Sequence, residues 1–244
     1  MTHTGRILSI DARITPEEIA SLSDATWLSQ ENAHDTAREM AVAMNRYMRP
    51  EALFQWFDIA GIGESTIAIE NPVTQEQATL TTGSFSPYFE KATRILCALY
   101  TLGPKVDRLL AQCTRDGDAM GANFINMGSL AALSRTASVL TQLAENRAKN
   151  EGIGVSPPLS PGSIDGWELS GQRELCKLFP LETIGVTLGE NAILAPMNTL
   201  SVVIAIGPGF TDTRTGSPCR LCRMGGSCTL TCSNHRASSA HKSA

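Results

Sequence analysis

Nowhere does the sequence contain an apolar run of about 18 residues, the length at which a helix becomes a candidate to span a bilayer, so no membrane helix is expected. The opening segment, MTHTGRILSIDARITPEE, has no apolar stretch of the signal-peptide kind, which makes the cytoplasm the expected compartment. Aromatic residues are scarce at 5% and the net charge is −4, carried by an acidic body, so nucleic acid is not an expected partner. Neither GxxxxGK[ST] nor a GxGxxG fingerprint occurs, which argues against ATP hydrolysis and dinucleotide binding. The only histidines are His3, His34, His235 and His241, three of them near the chain ends, so no serine–histidine–acid arrangement is credible.

What is present describes a folded chain of 244 residues, 42% hydrophobic and 18% charged, long enough for one substantial core or a core with a small appendage. The charge is unevenly distributed. From Thr211 onward Arg214, Arg220, Arg223, Arg236 and Lys242 face Asp212 alone, a tail of +4 on a body of −8. The same tail holds four of the seven cysteines, Cys219, Cys222, Cys228 and Cys232, within fourteen positions in the pattern C-x2-C-x5-C-x3-C. Two residues between thiolates allow a tight turn with converging sulfurs, and a second pair completes a tetrahedral set. Two occupants fit that set, a structural zinc ion or an iron–sulfur cluster, and the tail arginines would stabilise the negative charge of either. Cys97, Cys113 and Cys176 stand singly in apolar surroundings and read as small buried hydrophobes.

The segment TPEEIASLSD carries an N-cap threonine, Thr15, then Pro16 and two glutamates, so a helix starts there. NAHDTAREMAVAMNRYM continues at helical period, with Ala37, Met40, Ala41, Met44 and Met48 on one side until Pro50. Residues 65–70 and 77–82 are β-branched and flank a turn-like NPVTQE, which predicts a hairpin. PYFEKATRILCALYTLG places Phe89, Ala92, Leu99 and Leu102 at helical spacing and predicts a helix ending at Gly103. A further helix restarts at Pro104, and a long one covers 117–149, where Gly121, Ala122, Gly128, Ala131 and Ala132 permit close helix packing. NEGIGVSPPLSPGSIDG, rich in proline and glycine, is a loop. WELSGQRELCKLF predicts an amphipathic helix, and TIGVTL and LSVVIAIG predict strands. Strands that do not alternate strictly with helices predict an α+β fold with an antiparallel or mixed sheet packed with helices.

Three stretches, LYTLGPKVDRLL leading to GDAMGANFINMGSLAAL, then LSPGSIDGWELSGQRELCKLF, then IGVTLGENAILAPMNTLSVVIAIG, together resemble the activation domain of cobalamin-dependent methionine synthase and its stand-alone relatives, some of which carry a cysteine-rich tail. The resemblance spans roughly residues 85–210. It implies an activation-domain-like core over 85–210, with 1–84 as an N-terminal helical segment and hairpin of the same domain and 211–244 as a metal-binding tail. It also implies a partner: a corrinoid-binding protein or corrinoid methyltransferase, which brings its own cobalamin, with a low-potential electron donor. In that family the activation domain clasps the corrinoid domain and supplies S-adenosylmethionine, whose methyl group traps scarce Co(I).

The sequence departs from the methyl-donor pattern. Where the family has an arginine able to pair with the ligand carboxylate, followed by Gly-Tyr, this chain has Pro158 and then Gly162 and Ser163. A glutamate expected near Leu133 or Ser134 is missing, and Glu145 is the next acid. These changes argue against tight S-adenosylmethionine binding. The residues that keep the pattern are Pro161 and Gly162 with Ser163 in the loop, Trp167 and Gln172 after it, Glu190 in the LGEN turn, and Pro196 with Ser201. Pro161, Gly162, Ser163, Trp167 and Glu190 are the candidate cofactor-binding set, and no residue is assigned a catalytic role. Trp167 reads as core or as an aromatic edge of the docking groove, and Asp118 and Glu190 as caps or cleft residues. The reading is an accessory protein that assists reduction of Co(II) to Co(I) by way of a tail cluster. Its rivals are a non-catalytic corrinoid-protein chaperone with a zinc tail and an S-adenosylmethionine-binding methyltransferase accessory domain.

Overall fold

The computed structural model describes residues 5–224, and they form an α+β fold. Its helices are α1 (Pro16–Leu22), α2 (Ala25–Leu28), α3 (Ala33–Tyr47), α4 (Pro104–Arg115), α5 (Ala119–Glu151) and α6 (Gln172–Cys176). The strands are β1 (Arg6–Ser9), β2 (Glu51–Ile62), β3 (Thr66–Glu70), β4 (Gln77–Thr81), β5 (Arg94–Thr101), β6 (Gly154–Val155), β7 (Thr187–Leu188), β8 (Leu194–Ala195) and β9 (Thr199–Gly207). Seven strands make one sheet in the order β4-β3-β2-β5-β9-β6, with β1 also on β2, while β7 and β8 pair separately. The pairings β1 with β2, β2 with β3, β3 with β4, and β6 with β9 are all antiparallel. Among the described residues no helix is long and apolar enough to cross a membrane.

The chain divides into two compact units. The first takes residues up to Gln55 with Cys97–Leu143 and Leu175–Ser201, and the second takes Trp56–Leu96, Ala144–Glu174 and residues from Val202 on. In the first unit α1 opens with a complete capping box: the Glu18 N–H donates to Thr15 Oγ1, and the Thr15 N–H donates to Glu18 Oε2. The helix α3 buries Ala33, Ala37, Ala41 and Met44, close to the stripe expected, with Met48 buried just beyond its end. Gly128 of α5 is the close-packing point: a Cβ there would stand 2.6 Å from Ile14 Cδ1 and 2.7 Å from Met44 Sδ.

Four expectations change. Residues 83–91 form 3-10 turns and 94–101 form β5, where a helix was expected. Ile95 to Thr101 are all buried, so this central strand has no polar face and its apolar run matches a helical stripe by coincidence. Gly103 therefore precedes α4, as its N-cap residue, and does not end a helix. A long strand, β2, follows Pro50 in a region read as helical apart from the hairpin. TIGVTL contributes only the two-residue β7, after a 3-10 turn at Leu181–Ile184, and the helix predicted from Trp167 begins at Leu169 as a 3-10 turn before α6.

Candidate functional site

The proline-rich loop belongs to the second unit and runs beside β9 as an interrupted edge. Gly154 and Val155 pair with Gly207 and Ile206, and the Ser156 N–H donates to Ala205 O at 2.8 Å. Pro157 and Pro158 have no N–H to continue the ladder, which resumes at Leu159 with two bonds to Val203 of 2.8 and 2.7 Å. From Ser160 the chain folds back on itself: Gly162 and Gly166 both have φ of +80°, the region that suits glycine, and the Gly162 N–H donates to Trp167 O at 2.8 Å.

Trp167 is fully buried beneath this turn, lying nearly parallel to Phe85 and edge-on to Phe89 at centroid distances of 6.3 and 5.9 Å. Its core reading therefore holds, and it has no surface to offer a partner. Its Nε1 has no hydrogen-bond acceptor, and the backbone of Gly171 comes so close that a Cβ there would stand 2.5 Å from that nitrogen. Pro161 is buried too, so the exposed edge of the loop consists of Ser163, Asp165, Glu168 and Leu169.

The start of the cysteine tail lies on that edge. Ile164 and Cys222 form an antiparallel bridge, the Asp165 N–H donates to Leu221 O at 2.9 Å, and the Arg223 N–H donates to Ser163 O at 3.0 Å. The Arg223 guanidinium reaches Glu168 at 2.5 Å. Upstream, the N–H and the hydroxyl of Thr215 donate to Glu145 Oε1 at 2.8 and 2.7 Å. Ser217 caps the turn Pro218–Arg220, and its hydroxyl donates to Cys219 Sγ at 2.9 Å. Glu168 was missed by sequence reasoning. Ser217 followed by Pro218 was a readable helix-start signal that sets the position of Cys219.

Cys219 and Cys222 are half-exposed thiols within and just past the end of the turn that Ser217 caps. Cys228 and Cys232 lie outside the described residues, and among the described residues no three histidine, cysteine or acidic groups gather as metal ligands. Glu190 belongs to the first unit, exposed in the turn between β7 and β8. Asp118 caps α5, accepting from the Gly121 N–H at 2.8 Å. Clefts of about 440 Å³ beside His34 and about 390 Å³ beside Trp27 also lie in the first unit, and none of the candidate residues lines either.

The fold is that of a reactivation domain. The chain is similar to a solved structure described as the MetH reactivation domain bound to AdoHcy, with a TM-score of 0.54 over 84% of this chain and 78% of that one. Sequence identity is 17%, so the likeness is one of fold. No protein-family description matches the sequence, and no curated protein matches it.

Proposed function

We propose that this chain is an accessory protein that docks on a corrinoid protein and assists reactivation of its cobalt from Co(II) to Co(I). The observation that carries the reading is the reactivation-domain fold, similar to a domain solved with AdoHcy. The exposed edge of the proline-rich loop, with Ser163, Asp165, Glu168 and Leu169, is the docking edge, and the buried Pro161 and Trp167 hold it from beneath. Cys219 and Cys222 supply two thiolates of the tail metal site, with Cys228 and Cys232 as the other two ligands. An iron–sulfur cluster there would supply a low-potential electron, whereas zinc would make the tail a structural knot. A brown anaerobic preparation supports the cluster, and a colourless one containing zinc supports the knot. For the methyl donor, Pro158 provides no cation. Of the two arginines flanking the loop, Arg147 is engaged with Glu151 at 2.9 Å, and Arg173 is exposed on α6 and is the candidate cation.

The test adds the protein to a Co(II) corrinoid protein and follows the visible spectrum. Selective binding of the state without the lower cobalt ligand shifts the population toward that form. The expected result is a move toward the base-off spectrum that Leu169→Asp weakens while leaving the chain folded. No spectral change and no co-elution with any of the host's corrinoid proteins would remove the proposal.

A further inference from the structure

The segment 217–223 is a strap laid against the proline-rich loop. It is fixed there by two backbone hydrogen bonds, Asp165 to Leu221 and Arg223 to Ser163, and by the ion pair of Arg223 with Glu168. That contact is modest, because two short paired segments are marginal by themselves and the ion pair is solvent-accessible. The two half-exposed thiols, Cys219 and Cys222, sit within the strap itself, and Cys222 is the residue bridged to Ile164.

We propose that the strap is a metal-controlled clasp: coordination of a thiophilic divalent cation through Cys219 and Cys222 holds the strap on the loop and fixes the loop in its docking conformation. The inference rests on the metal reading of the tail given above and adds its regulation. Tying two sulfurs three positions apart to one ion removes conformational freedom from the turn between them. The segment is then already ordered when it meets the loop. Binding free energies are linked, so whatever the metal adds to the clasp, the clasp adds to metal affinity.

The experiment uses the full reduced chain and Zn²⁺ alone. Hydrogen exchange is measured at the Asp165 and Arg223 amides with and without Zn²⁺, and Zn²⁺ affinity is measured by chelator competition for wild type, Glu168→Arg, Arg223→Glu and the double swap. Zn²⁺ is expected to slow exchange at both amides at least about fivefold, while the Ile59 amide, which donates to Thr93 O within the same unit, is unchanged. Each single reversal is expected to weaken Zn²⁺ binding about two- to fivefold, and the double swap to restore it. A pure field effect would instead move the two single variants in opposite directions, and that result overturns the clasp. Zn²⁺ bound by every variant with wild-type affinity and no added protection also overturns it, leaving the metal site standing. No Zn²⁺ binding by the wild type overturns clasp and metal site together.

Discussion

Burial keeps the thiols of Cys97, Cys113 and Cys176 protonated above their ordinary range, with desolvation the leading cause at each, whereas Cys219 and Cys222 remain half-exposed. An alkylating reagent applied to the native metal-free chain near about pH 8 is therefore expected to label Cys219 and Cys222 and to spare the other three, read by peptide mass mapping. Labelling of Cys176 in the native state would contradict the burial argument. Cys176 also predicts an alkaline response. Its thiol is raised from 9.0 to about 12 in the fold, so the unfolded chain loses that proton first as pH rises. The stabilisation is complete below about 9 and is lost progressively toward about 12. The melting temperature of Cys176→Ala should accordingly fall less steeply across that window than that of the wild type. At this scale the sequence was readable: three isolated cysteines in apolar settings could be told from the clustered four, of which Cys219 and Cys222 lie among the described residues. The surroundings of Trp167 were harder to foresee, because burial beneath Ser160–Gly166 depends on Phe85 and Phe89, some eighty residues away in sequence.

Among the elements, β9 has no room for a side chain at its last residue. A Cβ on Gly207 would stand 2.3 Å from Lys91 O, 2.6 Å from Ala92 Cα and 2.8 Å from Thr93 N, all backbone atoms that cannot turn aside. Gly207→Ala is expected to cost about 1–3 kcal/mol in chemical denaturation, the usual range for forcing atoms into a packed site. An unchanged midpoint would mean that the strand end moves freely. Elements whose signals are local could be read directly, such as the capping box of α1, the restart at Pro104 and the hairpin of β3 and β4. β5 could not, because a strand buried on both faces leaves no alternation and Phe89, Ala92, Leu99 and Leu102 fall on a helical period by chance. Short β6 was hidden for another reason. Gly154 and Val155 extend the sheet only through their register with Gly207 and Ile206, a pairing that no nearby residue announces.

For the whole molecule, strands β2, β5 and β9 and helix α5 each contribute residues to both compact units, so neither unit corresponds to a continuous stretch of sequence. The fold is similar to that of a reactivation domain solved with AdoHcy, and Pro158 carries no cation at the position where the resemblance to that family leads one to expect a partner for a methyl donor's carboxylate. Calorimetric titration with S-adenosylmethionine is expected to show no binding tighter than about 0.1 mM. Micromolar binding would point to Arg173, and Arg173→Ala should then abolish it. The anchoring of Thr215 to Glu145 has a consequence for the tail as a tethered reactant. Only three residues separate that anchor from Cys219, four chain steps with a reach of about 14 Å at full extension. An opened strap therefore stays within a small volume around its own docking surface. Its effective concentration there is on the order of millimolar or more, as for other short tethers. On the clasp proposed above, the strap would release the loop and find it again in a single unimolecular step, at a rate independent of protein concentration.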